Sequence, residues 1–292
     1  MLKPLTFRED DTFVIVQFTD IHWKQGGPED ERSYALMEQV VGAERPDLIV
    51  FTGDIIDGKH SADPAQSLRD AVSVAERNRI PWAAVFGNHD DEGKLTRERL
   101  LEVLMEHEWH CAGHGGFTRD VSGCGNGVLE VTDRQGNAAA ALYFFDSGAY
   151  APVPGVGKYG WIHRDQIAWY ESQSRALAAR NGGTPLPSLA FFHIPLPEYD
   201  EVWQRRVCYG HKYENVCCPK INTGLFAAMV EMGDVAGTFA GHDHVNDYWG
   251  ELYGIRLCYG RATGYNTYGR EGFPRGARVI RLRRGERDFE TW

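Results

Sequence analysis

The chain has 292 residues and a formal net charge of -10 at pH 7; 42% of its residues are hydrophobic and 25% are charged. This composition is typical of a globular protein that buries a core, and the length fits one large domain spanning residues 1–292. The acidic balance argues against nucleic acid as a partner, because phosphate backbones are held by clustered lysine and arginine. It does not exclude a small phosphorylated substrate, since bound metal ions outweigh the global charge locally.

The N-terminal segment MLKPLTFREDDTF contains no apolar signal core, and no apolar run in the chain approaches the roughly 20 residues that span a bilayer. We therefore expect a cytoplasmic protein without a membrane partner. None of the six cysteines forms a CxxC pair, and reduced thiols are the rule in that compartment. We expect free thiols, with a bridge from Cys111 to Cys124 or from Cys208 to Cys217 as the alternative.

Strands and helices alternate in the first part of the chain. Apolar runs predict strands at 13–18, 47–52 and 82–86, and apolar residues at helical spacing predict helices at 31–42, 64–78 and 94–107. Pro64 stands at the start of the second helix, a position that proline favours. The β–α–β–α–β–α order predicts a layered sheet with parallel strands at its centre.

Further along, the pattern changes to strands joined by short turns. We predict strands at 117–121, 127–131 and 141–145, with a hairpin turn at 133–137. Helices at 166–180 and 223–232 and strands at 188–192 and 235–240 follow, and short β segments continue to the end. The chain shows no repeat, low-complexity tract or linker, so we predict a single α/β domain.

Polar side chains directly follow five of the predicted strands. The residue types among them that bind metals are Asp20, His22, Asp54, Asn88, His89, His193, His242 and His244. Sites gather at the carboxyl ends of strands in α/β sheets, so we expect these side chains to converge. A single Gly-Asp turn or a single histidine is ordinary in any fold, and it is the coincidence at five strand ends that indicates a site.

The types of ligand decide which ions suit this site. Imidazole and carboxylate suit Mn, Fe, Zn, Co or Ni, and the lack of cysteine among them argues against a structural zinc site. The set is too large for one ion. We therefore predict two ions that share a carboxylate, about 3.5–4 Å apart, an arrangement that clamps both oxygens of an in-line displacement. The glycines before Asp54, Asn88 and His242 let the backbone turn sharply or approach the ions.

The order of the motifs DIH, GD, GNHD, H and GHDH resembles that of the calcineurin-like metallophosphoesterases, over residues 14–244. The later segments HIPLPEY, ENVCCPKINTGLF, FAGHDHVND and CYGRATGYNTYG resemble more closely a branch related to purple acid phosphatases. The resemblance implies an α/β fold of a particular kind, a four-layer αββα sandwich of two mixed β-sheets flanked by helices. It places the site at the strand ends.

The resemblance also implies a role for each site residue. The ligands of one ion would be Asp20, His22 and His244, those of the other Asn88, His193 and His242, and the bridging residue Asp54. His89 would face the leaving group without binding metal, and Asp90 would orient it. In the mechanism this implies, a hydroxide held between the ions attacks phosphorus in line and no covalent intermediate forms. Hydrogen bonding between metal ligands is the alternative role of His89.

Two positions depart from the purple acid phosphatase pattern. The tyrosine ligand of the GDxxY motif is absent, because the segment here is GDIID and ends at Asp57. His22 stands where those enzymes have glycine. We therefore expect a site without a tyrosinate–iron charge-transfer band, and we expect its two metal ions to be Mn, Zn or Fe, or a mixed Fe/Mn pair.

The function expected from this resemblance is that of a phosphomonoesterase acting on a phosphoprotein or a small phosphorylated metabolite. A phosphodiesterase that cleaves a cyclic nucleotide or a glycerophosphodiester would use the same ligands. A metal-binding scaffold without turnover is the alternative from a different class. Two loops rich in glycine and aromatic residues, 211–218 and 265–270, either line the pocket, with Arg261 or Arg270 meeting a phosphate, or are plain surface.

Overall fold

The computed structural model describes residues 4–114 and 116–292. Its strands are β1 (Thr12–Phe18), β2 (Leu48–Thr52), β3 (Trp82–Val85), β4 (Phe117–Thr118), β5 (Asn126–Thr132), β6 (Ala138–Phe144), β7 (Ser188–Phe191), β8 (Cys208–Tyr209), β9 (Val235–Ala240), β10 (Trp249–Leu252), β11 (Ile255–Tyr259), β12 (Arg278–Arg283) and β13 (Phe289–Thr291). Its helices are α1 (Pro28–Glu44), α2 (Pro64–Asn78), α3 (Arg97–Met105), α4 (Arg164–Arg180), α5 (Glu198–Arg205) and α6 (Leu225–Met232).

The strands form two mixed sheets. The first has five strands in the order β13-β12-β1-β2-β3, and β1, β2 and β3 within it run parallel. The second has eight strands in the order β4-β5-β6-β7-β9-β11-β10-β8, with a parallel centre of β6, β7, β9 and β11. The parallel strands of each sheet therefore end at a common edge, where their following loops meet.

The two sheets pack face to face, and alternate residues of one strand serve different layers. In β1, Phe13 and Ile15 join the inner layer between the sheets, together with Phe191 from β7. Val14 and Val16 point the other way, into the cluster formed with α1, α2 and α3. This two-sided burial is typical of central strands covered on both faces.

Helices cover the outer face of each sheet. Residues of α1, α2 and α3 pack on the first sheet, and residues of α4, α5 and α6 pack on the second. The expected four-layer αββα sandwich of two mixed sheets is therefore confirmed. All six cysteines are free thiols, as expected. Within the described ranges, none of the helices combines the length and the apolar character that crossing a membrane requires.

Candidate metal centre

The loops after β1, β2 and β9 hold four predicted site residues in left-handed backbone conformations. The φ angle is 54° at Asp20, 51° at His22, 47° at Asp54 and 77° at His242. Residues other than glycine rarely adopt such angles, and this strain is found mainly at functional sites. The first two loops are tied together, because the amide of Asp20 donates to the carbonyl of Gly53 at 3.1 Å and that of His22 to the carbonyl of Asp54 at 2.9 Å.

Gly87 and Gly241 stand where these loops come closest to one another. A Cβ at Gly87 would lie 2.7 Å from Cγ of Asp54 and nearer still to its Oδ1, and one at Gly241 would lie 2.9 Å from Oδ2 of Asp20. Real Cβ atoms do not approach other atoms so closely. Both glycines thus make room for carboxylates of neighbouring loops, which is more specific than the sharp turn or approach to the ions expected from the sequence.

The ligating atoms form two buried groups with one member in common. Atoms within 4.8 Å of one another come from Asp20, His22, Asp54 and His244 in the first group, and from Asp54, His193 and His242 in the second. Oδ2 of Asp54 lies 3.6 Å from Nε2 of His22 and 3.2 Å from Nε2 of His193, so it faces both groups. This is the position that a bridging carboxylate requires.

Three buried polar atoms at the site have no hydrogen-bond partner among the described residues. They are Oδ2 of Asp54, Oδ1 of Asn88 and Nε2 of His242. Buried polar atoms are nearly always paired, so these three need a partner that the surrounding protein does not supply. The amide nitrogen of Asn88 lies 3.3 Å from the hydroxyl of Tyr150, which leaves its oxygen available to a cation. A donor set of carboxylates, imidazoles and an amide oxygen fits divalent or transition-metal ions.

Contacts to the second ring nitrogen orient two of the histidines. Nδ1 of His193 donates to the carbonyl of Thr52 at 2.8 Å, so Nε2 is the ring nitrogen that faces Asp54. Nδ1 of His244 lies 2.8 Å from the hydroxyl of Thr267, and the neighbouring ring of Tyr268 stacks on His244 with 4.2 Å between centroids. Such contacts fix the ring orientation of metal-binding histidines.

The electrostatics of the buried cluster suit cations. Burial lowers the pKa of His22 to about 4 and that of His242 to about 3, so both rings are in the neutral form that binds metals. Burial raises the pKa of Asp20, but the neighbouring His244 outweighs it and brings the pKa to about 2. Burial also opposes ionisation of Asp54, yet the neighbouring His193 outweighs it and holds the pKa of Asp54 well below its usual range. Two buried carboxylates therefore remain charged and need compensating positive charge.

His89 lies beside the two ligand groups and is more open to solvent than they are. Its ring centroid is 5.2 Å from that of His22, and its backbone amide donates to Oδ1 of Asp54 at 2.7 Å. Its side chain is 38% exposed, whereas that of Asp54 is 1% exposed. Burial lowers the pKa of His89, but the carboxylates of Asp54 and Glu92 outweigh it and raise the pKa above its usual value. Because its side chain is partly exposed, the ring of His89 stands where a substrate can reach it.

Asp90 does not orient His89, so that expectation from the sequence is wrong. The carboxylate of Asp90 accepts from the backbone amide of Ile56 at 2.9 Å and from that of Gly87 at 2.7 Å. The ring of His89 turns the other way, and its Nδ1 lies 2.6 Å from Oε2 of Glu92. Asp90 thus ties together two site loops, and Glu92 takes the contact that was expected of Asp90.

No local sequence pattern points to Arg97, Asp146 or Tyr150, which shape this site. Arg97 is buried at the start of α3, where its guanidinium pairs with Asp146 and donates to the carbonyl of Gly87. Tyr150 reaches Glu92 through its hydroxyl. Arg97 and Asp146 are 49 positions apart in the chain, and Tyr150 and Glu92 are 58 apart, so only the fold brings them together.

The two loops whose role the sequence left open are partly involved in the site. The loop 265–270 contributes the contacts to His244 described above. Arg261 lies 2.8 Å from Asp247 and over the ring of Phe273 at 3.5 Å. Arg270 lies over the ring of Tyr213 at 4.4 Å. Both arginines are thus packed against other side chains of the protein. Their role in binding a phosphate stays a prediction.

Two mixed sheets flanked by helices, with a buried carboxylate–histidine cluster at the strand ends, define the metallophosphoesterase class of proteins. The family described as calcineurin-like phosphoesterase matches residues 13–246 of this chain. The chain belongs to this family, as the motifs in its sequence predicted.

Curated relatives match nearly the whole chain. Two proteins of Arabidopsis thaliana, probable inactive purple acid phosphatase 28 and probable inactive purple acid phosphatase 29, are 37% and 33% identical over 99% of this chain and over 79% and 84% of their own lengths. Phosphatase DCR2 of Saccharomyces cerevisiae is 32% identical over 97% of this chain and 54% of its own length. A solved structure, a dimetal phosphatase from Danio rerio, has a TM-score of 0.61 at 15% identity, over 96% of this chain and 98% of that chain, and shows the same fold.

Proposed function

We propose that the chain is a two-metal phosphoric ester hydrolase that prefers monoesters, acting on a small phosphorylated metabolite or a phosphoprotein. The observation that supports this best is the pair of buried ligand groups that share Asp54, with the more exposed His89 beside them. The chemistry that two such ions supply is the activation of water as a nucleophile and the neutralisation of charge on the phosphoryl oxygens.

The chain's own residues have distinct tasks in this proposal. Asp20, His22 and His244 would hold one ion, and His193 and His242, together with the unpaired Oδ1 of Asn88, would hold the other. Asp54 belongs to both groups. The overall reaction is R–O–PO3²⁻ + H2O → ROH + HPO4²⁻. His89 gives a proton to the departing oxygen as the P–O bond breaks and recovers one from the attacking water. The protein forms no covalent bond to phosphorus.

A metal-binding scaffold without turnover is the second candidate. It is favoured by the names of the two Arabidopsis relatives, which describe those proteins as inactive. The preference for an enzyme rests on two features. The donor set of carboxylates, imidazoles and an amide oxygen is sufficient for two ions, and His89 is placed to protonate a leaving group, which a scaffold would not require. The preference for monoesters rests on two relatives that match nearly the whole chain and whose names include the word phosphatase, probable inactive purple acid phosphatase 28 and phosphatase DCR2.

The test compares turnover of p-nitrophenyl phosphate and bis-p-nitrophenyl phosphate by protein stripped of metal and reloaded with Mn²⁺. We expect faster turnover of the monoester, and a His89→Ala variant should lose about 10²–10⁴-fold in kcat while keeping its bound Mn²⁺. Glu102→Gln, on the exposed side of α3, is the matched control and should keep the wild-type rate. Diester preference would favour a phosphodiesterase, and bound metal without turnover of either ester would favour the scaffold.

A further inference from the structure

Glu92 contacts two different parts of the site with its two carboxylate oxygens. Oε2 lies 2.6 Å from Nδ1 of His89, and Oε1 accepts from the hydroxyl of Tyr150. The same hydroxyl lies 3.3 Å from the amide nitrogen of Asn88. These contacts join Asn88, Tyr150, Glu92 and His89 in one continuous chain of hydrogen bonds. Because both oxygens of Glu92 are engaged, its carboxylate cannot rotate without breaking a contact.

Tyr150 is itself fixed at the site by a short hairpin-like loop over residues 149–160. The amide of Ala151 donates to the carbonyl of Lys158 at 2.9 Å, and Tyr150 is bridged to Tyr159. The ring of Tyr159 packs edge-on against His242 with 4.4 Å between centroids. The loop thus meets the ligand group containing His242 at one point and Glu92 at another, which sets the position of the Tyr150 hydroxyl.

The contact to Glu92 determines which nitrogen of His89 is available for chemistry. A carboxylate only accepts hydrogen bonds, so Nδ1 of His89 must carry a proton to contact it. Nε2 is then the ring nitrogen left to face a substrate. Without a fixed orientation, the ring of His89 would present either nitrogen to the substrate. Misplacement of a reacting group by about 1 Å lowers the reaction rate strongly.

We propose that Glu92 is the positioning residue for His89, and that Tyr150 holds Glu92 in the orientation this requires. The proposal rests on the proposed function for the part that concerns leaving-group protonation. Glu92 does not touch the substrate in this account. It fixes the ring so that Nε2–H of His89 transfers its proton to the ester oxygen while the P–O bond breaks, which yields the alcohol and inorganic phosphate.

The first test is the ring proton of His89, observed by histidine-selective ¹⁵N NMR in the Zn²⁺-loaded protein. We expect a downfield Nδ1 proton, assigned by its loss in His89→Ala, that disappears in Glu92→Ala and persists in the control Glu102→Gln. Persistence of the signal in Glu92→Ala, or its absence from the wild type, would overturn the proposal. This signal tests the contact between Glu92 and His89 whether or not the protein turns over any ester.

The second test measures kcat/KM for p-nitrophenyl phosphate and for phenyl phosphate, whose leaving group is the poorer one, with the Mn²⁺-loaded protein. Glu92→Ala should lose about 10-fold more on phenyl phosphate, because poor leaving groups depend most on proton donation. Glu92→Gln keeps an acceptor oxygen and should restore part of the loss, and Tyr150→Phe should show a smaller loss in the same direction. Equal losses on both esters would refute positioning, whereas a wild type that turned over neither ester would refute the proposed function instead.

Discussion

Replacing Gly87 with alanine tests whether the closeness of the site loops is needed for function. The added Cβ would lie 2.7 Å from Cγ of Asp54, where ordinary contacts begin at 3.4 Å, so the shared carboxylate must move. The backbone of Gly87 is not in the left-handed region, so the effect is steric alone. We expect a displacement of roughly 1 Å, a loss of about 10²-fold or more in turnover, and a decrease of about 1–3 kcal/mol in unfolding free energy.

The assay is Mn²⁺-dependent turnover of p-nitrophenyl phosphate, together with thermal unfolding with and without Mn²⁺. Gly42→Ala on α1 is the matched control, because nothing lies within 4 Å of its added Cβ. In a helix that change should stabilise the protein by about 0.5–1 kcal/mol and leave turnover unchanged. Wild-type turnover and a wild-type Mn²⁺-induced rise in Tm for Gly87→Ala would refute the reasoning.

Three further predictions concern other contacts of the site. Arg97→Ala leaves the carboxylate of Asp146 buried without its cation and should lower the unfolding free energy by about 3–5 kcal/mol in a denaturant titration; a loss below about 1 kcal/mol would contradict this. Thr267→Val removes the hydroxyl that orients His244 and should weaken Mn²⁺ binding about 10–100-fold in calorimetry, so unchanged affinity would contradict the orienting role. Because Asp57 stands in place of the tyrosine ligand, the iron-loaded protein should lack a visible tyrosinate band, and a purple product would show otherwise.

The order of elements follows from the sequence because their boundaries have local causes. α2 has the predicted bounds, since Pro64 occupies its first turn and the side chain of Asp63 caps it by accepting from the amide of Gln66 at 3.1 Å. α3 begins later than the predicted 94–107 because Thr96 caps it. α5 was not predicted, since it has only eight residues and buries only Tyr199 and Val202 among them. Two buried positions are too few for a helical period to be recognised, whereas the equally short α6 buries four of its eight residues.

The site residues that follow predicted strands could be found from the sequence, whereas those that depend on long-range contacts could not. The predicted ligands follow five strands, so the parallel edges of the sheets bring them together as expected. The partner of His89 was not predicted, because the resemblance to the family implied Asp90, whereas the turn directs that carboxylate to backbone amides. Tyr150 reaches the site from 58 positions beyond Glu92, and Arg97 is paired there with Asp146, 49 positions away in the chain. The expectation of one domain over residues 1–292 stays a prediction.

The most direct test of the central claim, two ions sharing Asp54, is the metal content of the protein after equilibration with Mn²⁺, measured by inductively coupled plasma mass spectrometry. The wild type and the control Glu102→Gln should each hold two ions per chain, and Asp54→Asn should hold less than one at the same free Mn²⁺, because both ligand groups lose their common carboxylate. A wild type with one ion or none, or an Asp54→Asn variant that still held two, would contradict the account.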